Sequence, residues 1–293
     1  MSPAERFPWA TILSFEGKEP QIHESAFVAP GAHAAHSFDS CTGSITTLPA
    51  VISTQGNWCF NKDLSIGQSG VNAITVDANN VTIDCNGYKL GGLSAGPGTS
   101  STAILSSRFN TTIRNCTIRG FLYAVRLQDG AGHLIEDNRF DGNLRAGVVS
   151  YADATIIRRN LIVDTGGGTA AEGDAWGILA YGTAEIIDNT VSVVDPLGPV
   201  NGNGYGIFSG NSPSSITGNR VSQTNGMGTG QGIGIASAQY AVVEGNQVMG
   251  AGGGVSHIGI TCPDVNTSVV RNIVSAFEVG IDADCTVLDN VVN

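Results

Sequence analysis

Residues 206–221 read GIFSGNSPSSITGNRV, and Asn219 stands between Ile216 and Val221 at a spacing that aims all three side chains into one interior. A buried amide without partners costs about 1–3 kcal/mol, so the position makes sense only if something regular satisfies it. The same arrangement, an apolar residue, two residues, Asn, one residue and a second apolar residue, returns along the chain. It appears as IDCNGY (Asn86), IEDNRF (Asn138), IRRNLI (Asn160), IIDNTV (Asn189), VEGNQV (Asn246), VRNIV (Asn272) and VLDNVV (Asn290). One unit departs: in IRNCTI the slot holds Cys116, and Asn115 is displaced by one.

Upstream of nearly every slot lies a small residue followed by an apolar one: Ala73-Ile74, Ala103-Ile104, Ala124-Val125, Gly147-Val148, Gly177-Ile178, Gly206-Ile207, Gly234-Ile235, Gly259-Ile260 and Gly280-Ile281. Nine units of two or three short strands follow from this spacing. Their lengths differ while the strand pattern inside each stays fixed, so the extra residues fall in turns, as in a solenoid. If strands of successive units stack in parallel at ~4.8 Å, each Asn meets its equivalent above and below. An amide is both donor and acceptor, so a column of them can satisfy itself.

The chain of 293 residues is 41% apolar, enough for a large core, and its 40 glycines suit tight coils and oppose a helical fold. No stretch approaches the ~18 apolar residues of a membrane-spanning helix. A formal charge of −11 repels phosphate backbones and argues against nucleic-acid binding. Six cysteines form three local pairs, Cys41/Cys59, Cys85/Cys116 and Cys262/Cys285. They read as up to three disulfides made in an oxidising compartment, or else as buried thiols. The first 34 residues are not an intact signal peptide, yet the stretch ending at His33-Ala34-Ala35 has the small-x-small form of a cleavage site. A secreted or periplasmic protein is expected, its native leader absent or replaced.

The repeated units resemble the right-handed parallel β-helix repeats of the pectate-lyase-like superfold over residues 71–293. The resemblance supplies the handedness and implies an all-β, single-stranded right-handed parallel β-helix of about nine coils with an internal Asn ladder. It says little about function, because the superfold hosts lyases, hydrolases, epimerases, adhesins and tailspikes. Ahead of the helix, residues 41–70 are expected to be a cap or a first irregular coil, and residues 1–40 an extension or capping segment. Residues 13–32, LSFEGKEPQIHESAFVAPGA, resemble the N-terminal strand and first rung of γ-class carbonic anhydrases. That suggests either an engineered fusion or a natural edge-covering strand. The resemblance does not extend to a zinc site, since His23, His33, His36, His133 and His257 share no spacing.

Alternation away from the apolar member of each pair places Arg126, Val149, Leu179, Phe208 and Asp282 outward, followed by Gln128, Tyr151 and Tyr181. An outward face of Val149, Tyr151, Leu179, Tyr181 and Phe208 bordered by Arg126 is more apolar than a solvated sheet. It reads as a carbohydrate-binding surface (Arg126, Gln128, Tyr151, Leu179, Tyr181, Phe208), as a face under a loop, or as a contact between copies of the chain. The longest turns, 164–176, 195–205, 223–232 and 249–257, run beside it and could wall a groove rimmed by Asp164, Glu172, Asp174 and Asn203. No metal is expected, although one Ca2+ near Asp174 is conceivable without support from any repeat.

Asp84, Arg114, Glu136 and Arg158 alternate in sign from coil to coil, with Asp137, Arg159 and Asp188 beside them, and read as register-fixing pairs. Catalytic signals are weak. Arg126, His133 and Tyr151 are candidates for a uronate lyase, and Asp282 and Asp284, two apart, are candidates for a glycosidase pair. The hydrolase set of paired aspartates, Gly-His-Gly and Arg-x-Lys is missing. Three functions fit: binding or presenting polysaccharide, a divergent polysaccharide lyase or glycoside hydrolase, and a structural or engineered solenoid without activity. The pattern runs into LDNVVN at residues 288–293 with no cap after it, so truncation, a partner chain, a second copy or a Cys262–Cys285 bridge is expected there.

Overall fold

A computed structural model describes residues 41–293 apart from 170–172, 198–200, 211, 252–256 and 264–265. The segment resembling a carbonic anhydrase cap therefore lies outside the described residues, as do Glu172, His23, His33 and His36.

Each coil lays down three short strands and closes. Ala146–Ser150, Thr155–Arg158 and Leu161–Thr165 make one coil, and Ala175–Ala180, Ala184–Ile187 and Thr190–Val194 the next. Equivalent strands pair into three parallel sheets of eleven, ten and ten strands, and after the first strand each sheet takes every third strand of the chain. The result is a right-handed β-solenoid. The sheet built from the small–apolar pairs holds nine strands from Asn72–Val76 to Val279–Ile281, one for each unit of the repeat, and a tenth, Ala50–Ile52, precedes them. This is the first sheet below; Thr155–Arg158 lies in the second and Leu161–Thr165 in the third.

The column Ile74, Ile104, Val125, Val148, Ile178, Ile207, Ile235, Ile260, Ile281 is in register along the first sheet. Its small partner also faces inward. A Cβ on Gly147 would meet the Ile162 side chain of the third sheet at 2.9 Å and the Gly177 carbonyl at 2.8 Å, and one on Gly206 would strike Val221. Two consecutive residues thus point into the lumen, and the first must be small because the opposite wall is within touching distance.

The amides form the expected column from Asn138 onward. The Asn219 side-chain nitrogen donates to Asn246 Oδ1 at 3.0 Å and to the Ile186 carbonyl at 2.8 Å, while Asn246 Oδ1 also accepts the Asn219 backbone N–H at 2.8 Å. Asn138, Asn160, Asn189, Asn246 and Asn272 repeat the scheme, and Asn290 receives the last bonds. Ahead of each slot a corner residue takes the left-handed conformation, among them Asp137 (φ 56°), Arg159 (54°), Asp188 (53°) and Gly218 (69°), which swings the amide inward. At the other end the Cys116 N–H donates to Asn138 Oδ1 at 3.0 Å.

Asn86 stands off this column, contrary to expectation. Its turn carries two residues more than the others: Ile83 pairs with Ile113 and Leu90 with Ile118, so the segments between them differ in length. Its amide donates instead to the Phe60 carbonyl at 3.0 Å. Disulfides join Cys41 to Cys59, Cys85 to Cys116 and Cys262 to Cys285, and no described cysteine is free. The charge columns pair: Arg114 with Asp84 at 2.9 Å, Arg158 with Glu136 at 2.8 Å, and Arg159 with both Glu136 and Asp137.

Candidate functional site

Because each small–apolar pair uses two inward positions, the residue just before the small one points out of the first sheet. This creates an outer row of Tyr123, Ala146, Trp176, Tyr205 and Ile233, in register from coil to coil. A second row runs Arg126, Val149, Leu179, Phe208 and Ala236. Tyr151 and Tyr181 lie just beyond the strand ends at Ser150 and Ala180 and make a third.

Val149 and Leu179, only 2% and 4% exposed, form with Ala146 an apolar cluster on the outside of the solenoid. Tyr123, Trp176, Tyr181 and Phe208 pack against it. The apolar face expected from the sequence is therefore roofed largely by its own aromatic neighbours. Coil spacing of ~4.8 Å brings successive rings into stacking range. Tyr151 and Tyr181 stack at 5.4 Å and 6°, and Trp176 and Tyr205 at 6.3 Å and 10°. Phe208 bridges the rows, tilted against Tyr181 at 5.7 Å and edge-on to Tyr205 at 5.3 Å. Gly210 leaves the room: a Cβ there would sit 2.7 Å from the Phe208 ring and 3.2 Å from that of Tyr181. Rings that stack within a row turn their faces to one another, so the rows present mainly edges and phenolic hydroxyls to solvent.

Two guanidinium groups border the rows on the side of the earlier coils. Arg126 lies 5.5 Å from the Tyr123 ring centroid and 6.0 Å from that of Tyr151. Arg145 lies 5.2 Å from the Trp176 ring, with Nη1 donating to the Tyr123 hydroxyl at 3.5 Å and Nε to the Asp174 carbonyl at 3.4 Å. Next to Arg145, on the following coil, Asp174 Oδ1 accepts the Asn203 N–H at 2.7 Å, Asn203 Oδ1 accepts the Gln231 N–H at 2.7 Å, and Asn203 Nδ2 donates to the Tyr205 hydroxyl at 3.2 Å. Burial first, then the Asp174 charge, pushes the Tyr205 phenol above its usual range. Burial, followed by Tyr151 and Asp174, does the same for Tyr181. Both stay protonated hydroxyls at neutral pH.

The structure brings Arg126, Tyr151, Leu179, Tyr181 and Phe208 together, with Gln128 exposed just past the strand end at Leu127. It does not bring His133 to them. His133 is 1% exposed, accepts the Thr111 N–H on Nδ1 at 3.2 Å, and sets its other nitrogen 3.3 Å from the Asp129 carbonyl. Burial lowers its pKa, and its contacts make it a neutral corner residue. Asp282 and Asp284 do not project as alternate residues of one strand: the strand ends at Ile281, and both fall in a turn closed by the Cys285 N–H on the Asp282 carbonyl at 3.2 Å. Asp282 accepts the Thr261 hydroxyl at 2.9 Å. Asp164 belongs to a third-sheet strand, Leu161–Thr165, while Asp174 and Asn203 stand together beside Tyr205. Among the described residues no three His, Cys, Asp or Glu groups converge as metal ligands, at Asp174 or elsewhere.

Tyr123, Arg145, Trp176 and Tyr205 were not picked out from the sequence. Strict alternation from the apolar member assigns Tyr123, Trp176 and Tyr205 inward, and only the paired inward residues reverse that assignment; Arg145 precedes the strand that begins at Ala146. Counting back one residue from Gly177 and Gly206 would have found Trp176 and Tyr205.

The family described as right handed beta helix region matches residues 50–194. No curated protein matches the chain. Among solved structures, the enzymatically active domain of bacteriophage CBA120 tailspike protein 2 aligns with a TM-score of 0.55 and 15% identity over 80% of this chain and 38% of its own. The Dettilon tailspike protein gives 0.51 and 16% over 85% and 60%. A double mutant of the periplasmic alginate epimerase AlgG gives 0.50 and 12% over 76% and 61%. The chain spans less than two thirds of each of these, and at such identities the likeness is one of fold.

Proposed function

Taking the chain as a right-handed parallel β-helix repeat protein, we propose that it binds polysaccharide outside the cytoplasm, along the outer face of the first sheet. The observation that carries this reading is the set of aromatic rows on consecutive coils, Tyr151/Tyr181 and Trp176/Tyr205, joined by Phe208 and bordered by Arg126 and Arg145. Ring edges, phenolic hydroxyls and guanidinium N–H groups offer a sugar chain a mixture of apolar contact and donors. The rigid solenoid fixes them before binding, which reduces the ordering cost. One structure of similar fold is named an alginate epimerase, which adds weight to a glycan as ligand. Three disulfides fit a protein made in an oxidising compartment.

The test is retention on immobilised glycans of several classes, comparing the native chain with Tyr151→Ala and Phe208→Ala. Retention by the native chain, weakened in both variants, is expected, with the glycan's chain length unchanged after incubation. No retention on any glycan would remove the reading, and shortened or unsaturated products would replace it with a lyase or hydrolase.

A further inference from the structure

Most arginines of the described chain answer a carboxylate. Arg108, Arg114, Arg139, Arg158, Arg159 and Arg271 each form an ion pair. Arg119 and Arg220 do not, but both lie exposed on the third sheet, where water solvates them. Arg126 and Arg145 are different. Both are half-buried, both lie against aromatic rings, and neither has a carboxylate partner among the described residues. Arg126 Nε is enclosed with no acceptor at all. In a chain of formal charge −11, two partly desolvated cations flanking one tyrosine form a local positive field.

Rings satisfy the flat faces of a guanidinium but not its edge N–H groups. The edge is a fork that fits the two oxygens of a carboxylate or sulfate. One coil beyond Arg145 stands Asp174, its Oδ1 held by the Asn203 N–H and its charge felt by Tyr205 and Tyr181. The sign of charge therefore changes between adjacent coils, from Arg126 and Arg145 to the Asp174 carboxylate on the coil that carries Trp176.

We propose that this face selects an acidic glycan, with Arg126 and Arg145 receiving a carboxylate or sulfate substituent and the Asp174 side receiving uncharged sugar hydroxyls. The inference rests on the glycan-binding reading and names its ligand class. Asp174 repels a second anion, so the charged residue of the glycan lies toward the earlier coils and the chain binds in one direction. Arg145 reaches Asp174 only through the backbone carbonyl, which leaves its charge available.

The test is calorimetric titration of the full chain with three oligosaccharides of equal length, one a polyuronate, one sulfated and one neutral. The acidic ligands should bind, more weakly as salt rises, and the neutral one at least about tenfold more weakly. Whichever of the two acids binds better identifies the anion. Arg126→Gln and Arg145→Gln should each lower acidic-ligand affinity about tenfold or more, with Arg126→Lys in between. Arg139→Gln, whose guanidinium pairs with Asp141 on the third sheet, should bind as the native chain does. Thermal unfolding of each variant checks its fold, and should Arg126→Gln fail to fold, Arg145→Gln and the salt dependence decide. Equal affinity for neutral and acidic ligands, or native affinity in the folded arginine variants, overturns the proposal and leaves the glycan reading standing. Binding of none of the three overturns both.

Discussion

Asn219 makes three kinds of bond at once: its nitrogen donates to the next amide and to a carbonyl of the preceding coil, and its oxygen accepts from the amide before it. Replacing it with Ala orphans groups on both neighbouring coils in a dry interior. Asn219→Ala should lower stability in chemical denaturation by about 1–3 kcal/mol, and a companion Asn189→Ala should cost less than additively because the two share a bond. Most of this column was legible from spacing, because the corners from Asn138 to Asn290 have nearly constant length. Asn86 was misread for the opposite reason: two extra turn residues preserve the local motif while moving the amide away from the ladder. His133 illustrates a different limit, since one residue type serves for a catalytic base and a buried corner, and only burial separates them. Its folded pKa lies below the ordinary 6.5, so its contribution to stability is present above 6.5 and fades as acid protonates the unfolded chain first. Native stability should therefore fall more steeply than that of His133→Gln as pH drops below 6.5; parallel curves would contradict the assignment.

The small–apolar pair governs the strand. Its regular recurrence revealed the solenoid, but the use of two inward residues was hidden, and with it the outer row that carries Trp176 and Tyr205. Hydrophobic alternation is a two-residue rule, and a strand that breaks step once reverses every assignment upstream of the break. Gly206→Ala should cost about 1–3 kcal/mol of stability, since the added methyl meets Val221 and sits 2.6 Å from the Gly234 carbonyl. Gly210→Ala acts on the other side of the same strand. Its methyl would displace the Phe208 ring and should weaken glycan retention more than it lowers the unfolding midpoint. The Cys85–Cys116 bridge closes a loop with a sequence separation of 31 and fastens the first Asn-bonded coil. Replacing both cysteines with Ser should cost about 2–4 kcal/mol in denaturant unfolding.

Along the whole molecule, one spacing sets everything: amides, small–apolar pairs and aromatic rows all repeat at the rise of one coil. The interior column holds the coils in register, and register is what lets rings from different coils stack into a continuous surface beside Arg126, Arg145 and Asp174. The net charge of −11 argues against nucleic acid as a ligand, but the surface itself depends on side chains from many coils whose outward aim no single unit discloses. The claim that the glycan lies on these rows can be read from one indole. Trp176 belongs to the outer row, while Trp58 lies near the start of the solenoid at the Gly43–Trp58 pairing. Titrating the chain with an acidic oligosaccharide while following tryptophan emission should give a saturable change that disappears in Trp176→Phe and survives in Trp58→Phe. A change that persists without Trp176, or constant emission from the native chain at saturating ligand, would contradict the account.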